Sequence, residues 1–155
     1  MSNPRVAVAA LSLSAAGLIG IALHEGFRDT AYDDGAGVTT IGFGSTEGVR
    51  PGDKITVERG LVKLAGDVSR HEAGFRKCLG DIPLYPHEWD AYTSWVFNVG
   101  VGAACGSTLV RKLRARDYTG ACAELLKWNR AGGKVLRGLT IRRQAEYRQC
   151  TGAAQ

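Results

Sequence analysis

The apolar positions of this chain follow two patterns: residues 6–23 run without a single charge, and from about residue 56 onward apolar side chains recur at helical spacing among charged ones. The uncharged run holds 18 residues. That is about the least an α-helix rising roughly 1.5 Å per residue needs to cross a bilayer core of about 30 Å. Ten of the 18 are Ala, Gly or Ser, and Leu11, Leu13, Leu18, Ile19, Ile21 and Leu23 supply most of the hydrophobicity. Partition into lipid is therefore only modestly favourable, and residence in a membrane is expected to be reversible. Arg5 and the terminal amine precede the run while His24 and Glu25 follow it. By the positive-inside tendency the N-terminus lies in the cytoplasm and the rest outside. Three readings of the segment stay open: an uncleaved anchor that can leave the bilayer, a cleaved secretory signal, and a soluble core helix whose small residues pack closely. Cleavage within residues 15–22 would leave almost nothing ahead of Glu25, and Arg5 alone makes a thin positive region.

Beyond residue 26 the pattern changes. Ala31-Tyr32-Asp33, the turn-rich Asp34-Gly35-Ala36-Gly37 and the β-favouring Val38 to Phe43 predict a hairpin. Thr56 is placed to cap a helix whose apolar residues, Val57, Leu61, Leu64 and Val68, follow at spacings of four, three and four and lead toward Phe75. A second helix starts at Pro86 with Trp89, Tyr92, Val96 and Val99 on one face; Asp117 caps a third holding Ala121, Leu125 and Trp128; Gly132-Gly133 break the chain before a last helix over residues 140–150. One early hairpin followed by helices is an α+β plan, mainly helical. At 155 residues, 45% of them apolar, the chain can bury one sizeable core. The division expected is an N-terminal segment, residues 1–24, and one main body, residues 25–155.

The net charge of +5 favours an anionic partner without choosing among nucleic acid, acidic lipid and wall polymer. Arg111, Lys112, Arg114, Arg116, Arg142 and Arg143 are scattered over helices and make no nucleic-acid motif, so nucleic acid is not expected as a partner. Cys78, Cys105, Cys122 and Cys150 have no metal-ligand spacing. Their even number fits two disulfides in an oxidising compartment, with free buried thiols in a reducing one as the alternative.

Hydrolysis of a glycosidic bond needs one carboxyl that donates a proton to the leaving oxygen and a second, ionised, that activates water or attacks the sugar. Glu25 follows directly on the apolar run, a setting that suits the acid, whereas Asp34 opens a glycine turn rich in backbone N–H groups, which suits the ionised partner. Thr40 on the returning strand offers a hydroxyl able to orient water. Taken singly, a glutamate at a helix end is usually a solvated charge and Asp-Gly is usually a turn. The Asp33-Asp34 pair does not make a calcium loop, because Tyr32 and Ile41 stand where that loop needs oxygen ligands.

The spacing of Glu25, eight residues, Asp34, five residues, Thr40 resembles the Glu, Asp, Thr catalytic arrangement of the phage-type lysozymes, glycoside hydrolase family 24. Glu25-Gly26 leading to Tyr32-Asp33-Asp34 resembles the block E-G-x-x-x-x-x-Y-x-D, and Thr40-Ile41-Gly42-Phe43-Gly44 resembles T-I-G-x-G. Phe97-Asn98-Val99-Gly100, Ser107-Thr108-Leu109, the stretch from Trp128 to Gly133, and Gly138-Leu139 with Arg142-Arg143 are similar to further blocks in the same order, so the resemblance covers about residues 24–151.

The resemblance implies a two-lobed lysozyme fold and hydrolysis of the β-1,4 bond between N-acetylmuramic acid and N-acetylglucosamine in bacterial peptidoglycan, with no metal or organic cofactor. It implies that Glu25 is the general acid, that Asp34 activates water or stabilises the cation, and that Thr40 positions the water. Phe97, Thr108 and Thr46 become substrate contacts, and Arg142 the partner of the acid, with an exposed helix charge as its alternative. A monomer is expected. Ser45 stands where many relatives carry His, so the pairing that this His supports is expected to be missing. The Gly/Ala-rich N-terminal run resembles that of signal-arrest-release endolysins, which wait in the inner membrane with the catalytic domain on the periplasmic side and are then released to the periplasm. In such a release residues 6–23 would pack as a helix against the body. Since residues 1–24 contain no Cys and position 34 is Asp, activation by disulfide exchange is not expected. The resemblance implies a Cys122–Cys150 bond, with Cys78–Cys105 as a candidate second bond.

Overall fold

The computed structural model describes residues 3–153. In chain order the elements are β1 (Val6–Ala7), a 3-10 turn (Val8–Ala10), α1 (Ala15–Glu25), β2 (Arg28–Asp33), β3 (Thr39–Gly42), α2 (Val57–Leu79), β4 (Pro83–Leu84), α3 (Pro86–Val99), α4 (Val101–Cys105), α5 (Thr108–Arg114), α6 (Tyr118–Glu124), a 3-10 turn (Leu125–Lys127), β5 (Arg130–Ala131), β6 (Lys134–Val135) and α7 (Arg137–Cys150). The α+β class holds. The single expected hairpin is joined by two further antiparallel pairs, β1 with β4 and β5 with β6. The second of these turns on Gly132 and Gly133, whose φ of 57° and 75° favour residues without a Cβ. Pairs of two residues leave almost no periodicity to read.

Contacts divide the described chain into two compact units, one formed by residues 3–17 with 71–153 and the other by residues 18–70. The first holds the main core: Trp89, Tyr92, Trp95 and Val96 of α3 are fully buried with Phe75, Leu84, Leu109, Leu113 and Leu125. Phe75 lies 5.5 Å from Trp89 and 6.4 Å from Trp95, an aromatic cluster whose ring edges and faces add to the gain from area alone. Both expected disulfides form in this unit, Cys78–Cys105 and Cys122–Cys150. The predicted caps also form, with the Thr56 hydroxyl accepting from Arg59 N–H at 3.3 Å and the Asp117 carboxylate from Gly120 N–H at 2.9 Å. On α2 the predicted apolar face is buried from Leu64 and Val68 onward, whereas Val57 stays 47% exposed at the first turn.

Residues 6–23 do not form one helix, which corrects the expectation for the released segment. Only α1 is α-helical, and no helix among the described residues is long and apolar enough to cross a membrane. The break has polar causes. Arg76 donates to the carbonyls of Val8 and Leu11. Glu72 accepts the N–H of Leu13 at 2.8 Å. Asp90 accepts the N–H of Ser14 at 2.9 Å. These backbone groups are satisfied from outside and do not need the i→i−4 ladder, while Val8 and Leu11 enter the core.

Candidate active site

Glu25, Asp34, Thr40 and Thr46 all fall in the unit of residues 18–70; Phe97, Thr108 and Arg142 belong to the other. Glu25 is the last residue of α1. The helix stops there because Gly26 takes φ of 70°, with its N–H on the Ala22 carbonyl at 3.0 Å, the left-handed exit that glycine allows. Glu25 is half-buried, and Gly44 lies so close that a Cβ there would meet its Oε2 at 3.5 Å. Phe27 and Phe43, their rings tilted with centroids 5.1 Å apart, lie over Gly60 of α2, where a Cβ would come within 3.1 Å of the Phe27 ring. The hairpin therefore rests on a helix that has no side chain at the contact.

Asp34 leads the turn between β2 and β3. Its Oδ1 accepts the N–H groups of Ala36 at 2.8 Å and Val38 at 3.2 Å, and its own N–H donates to the Val38 carbonyl at 3.1 Å. Asp33 does parallel work, accepting from Gly35 and Gly37 at 2.7 and 3.3 Å. Both carboxylates are exposed, and the turn backbone fixes the direction of each. Thr40 pairs with Tyr32 across the hairpin, is 4% exposed, and donates from its hydroxyl to the Val38 carbonyl at 3.2 Å. Thr46 is exposed, with its carbonyl accepting from Val49 N–H at 3.3 Å.

Ser45 makes a polar tie of its own. Its hydroxyl, 2% exposed, donates to Asp67 of α2 at 2.7 Å, and its backbone exchanges two hydrogen bonds with Ile41. Arg70 contacts Asp67 and also Glu47 at 2.9 Å, so the end of the hairpin is tied to α2 by a chain of polar groups. The loop folds back as a bridge between residues 41 and 45, a proximity the motif does not encode.

In the other unit, Phe97 is half-buried with its ring 5.0 Å from that of His71, and Thr108 opens α5, exposed, accepting from Arg111 at 2.7 Å. Arg142 is not an exposed helix charge: it is 6% exposed and donates to Glu146 at 3.2 Å and to the Ser94 carbonyl at 3.1 Å. Glu146 is 2% exposed, accepts from Ser94 at 2.7 Å, and pairs with Arg143 at 3.2 Å. Burial pushes the Glu146 carboxyl above its ordinary range even though Arg143, Ser94 and Arg142 pull the other way. Burial likewise lowers the Arg143 guanidinium. Sequence reasoning missed this cluster, since i, i+3 and i, i+4 charges on a polar helix read as a solvated face.

Comparison with known proteins places the chain. The family model described as phage lysozyme matches residues 22–146. An endolysin of Acyrthosiphon pisum secondary endosymbiont phage 1 is 41% identical over 140 residues, covering 88% of this chain and 95% of that protein. A SAR-endolysin of Pseudomonas phage phiKMV is 38% identical over 146 residues, covering 92% of this chain and 88% of its own. Among solved structures, the endolysin from Escherichia coli O157:H7 phage FAHEc1 matches with a TM-score of 0.83 at 32% identity, over 93% of this chain and 96% of that one. The chain belongs to the phage lysozyme family. It is a lysozyme of the endolysin type, a muramidase that breaks down the peptidoglycan of the bacterial wall, and a non-catalytic wall-binding role is not favoured.

Proposed function

We propose that Glu25 is the general acid, Asp34 the carboxylate that activates water or stabilises the developing cation, and Thr40 the residue that positions the water. Glu25 gives its proton to the leaving glycosidic oxygen as the bond to the anomeric carbon of N-acetylmuramic acid breaks, and water adds to that carbon. Phe97, Thr108 and Thr46 contact the glycan, and Arg142 pairs with the acid. The observation that carries this reading is that one compact unit holds all three groups in distinct settings: Glu25 half-buried at a helix end, Asp34 held by two N–H groups in an exposed turn, Thr40 buried on the strand that returns from it. The test is release of muropeptides from purified peptidoglycan by wild type and Glu25→Gln, with analysis of the new reducing ends. Reducing N-acetylmuramic acid from wild type alone supports the assignment, and undiminished cleavage by the variant sinks it.

The same reading extends to the cell. Residues 1–24 act first as an inner-membrane segment with the N-terminus in the cytoplasm and the catalytic body in the periplasm, and the enzyme works as a released monomer. In support, Ile19 and Leu23, one turn apart on α1, are 58% and 80% exposed, apolar surface that water does not favour and lipid does. Fractionation of expressing cells checks this: full-length protein is expected in the membrane pellet first and in the periplasm later, and Ile19→Ser with Leu23→Ser should shift it to the soluble fraction from the start. Soluble protein at all times for both forms would rule the membrane stage out. Sedimentation of the soluble form should give one monomeric species.

A further inference from the structure

Helix α1 has little reason to be a helix by itself. It has 11 residues, two of them glycine. Isolated helices shorter than about 12 to 15 residues are marginal in water, and each glycine weakens a helix further relative to alanine. Its ends must be held from outside. Gly26 closes one end; the other is held by a carboxylate far away in sequence. Asp90 of α3, 7% exposed, accepts both the N–H of Ser14, at 2.9 Å, and its hydroxyl. The Ser14 hydroxyl in turn accepts the N–H of Gly17 at 2.9 Å, which makes Ser14 the cap of α1. Gly17 has no side chain because none fits: a Cβ would meet Leu13 at 2.6 Å and the Asp90 carboxyl carbon at 3.0 Å. No ion pair to Asp90 is found among the described residues, and its charge is met by the Ser14 donors and the positive end of α1.

We infer that Asp90, acting through Ser14, is a positioning residue for the acid: it sets where α1 begins and so the rotational register of the helix that ends on Glu25. A slip of one residue at the anchor turns every side chain on α1 by about 100° around the axis, enough to turn Glu25 away from a bond it must protonate. Asp90 touches no reacting atom. The inference rests on the reading of Glu25 as the acid, and it explains two features of the uncharged run that membrane residence does not require, a serine at position 14 and a glycine at position 17.

The experiment compares Asp90→Asn, Ser14→Ala and Ser14→Thr with wild type on soluble glycan-strand fragments, and reads amide hydrogen exchange along residues 17–25 in the same proteins. Ser14 is exposed, so Ser14→Ala keeps the test alive if Asp90→Asn does not fold. Expected are faster exchange in α1 and a kcat at least tenfold lower with KM within twofold for Asp90→Asn and Ser14→Ala, and near-wild-type behaviour for Ser14→Thr, which keeps the hydroxyl. Unchanged exchange in both overturns the anchor. Faster exchange with unchanged kcat overturns the positioning role, as does a loss of kcat that Ser14→Thr does not recover. Glu25→Gln run alongside separates the two readings: an active Glu25→Gln removes the acid assignment, and the anchor then stands or falls on the exchange data alone.

Discussion

The two compact units are built by different means. Residues 71–153, with 3–17, are held by a core around Trp89, Trp95 and Phe75 and by two disulfides; residues 18–70 bury only Ile21, Ala22, Ile41, Phe43, Leu64 and Val68 among their apolar side chains and contain no cysteine. Yet Glu25, Asp34 and Thr40 all lie in the lighter unit. There the positions are set by directional bonds: the Asp33 and Asp34 turn, the Ser45–Asp67 tie, the glycine contacts at positions 44 and 60. Apolar burial is strong but non-directional, whereas a hydrogen bond fixes an angle, so stability and precision come from different parts of the chain.

Perturbations on either side should therefore separate. Glu25→Gln has the largest expected effect, a loss of about 10²- to 10⁴-fold in turnover. Its melting temperature should fall far less than after a core truncation, since glutamine keeps the volume of the half-buried side chain. A large fall in melting temperature would break the contrast. Replacing Cys122 and Cys150 together by serine should do the reverse, costing about 2–5 kcal/mol in denaturant unfolding while the folded fraction keeps wild-type turnover at low temperature. Turnover lost in step with Glu25→Gln would show that the chemistry depends on that core more directly than the contacts imply.

Ser45→Ala is a smaller and more local test. It removes a hydrogen bond to a charged group, worth about 1.5–3 kcal/mol, and should speed amide exchange at Ile41 and its β3 neighbours while leaving α7 protected. Equal loss of protection in both would mean the two units open together. The smallest effect concerns pH. Lys112 and then Lys127 hold the Glu124 carboxyl below its ordinary range, so its contribution is present above about pH 4.3 and is lost as pH falls through the lowered value. Glu146, raised by burial, works oppositely: its contribution is full at low pH and is lost as pH rises through the raised value. Glu124→Gln should flatten the acid side of the melting curve against pH, and an unchanged acid side would show that the Lys112 pair contributes nothing.

Much of this was legible in the residues. The hairpin, the starts of α2 and α3, the Asp117 cap and the three residues assigned to the chemistry follow from local patterns: alternation, helical spacing, turn glycines and a motif whose spacing spans only 16 positions. Such signals act between neighbours in the chain, and a sequence displays neighbours directly. What the sequence could not decide depended on distant partners. Residues 8–14 stay out of the α-helix because Glu72, Arg76 and Asp90, some 60 to 80 positions away, take their backbone groups. Ser45 is buried because Asp67 takes its hydroxyl, and Arg142 is buried because Ser94 and Glu146 surround it. An apolar run states that a segment avoids water; only tertiary contacts decide whether its backbone is satisfied by itself or by others.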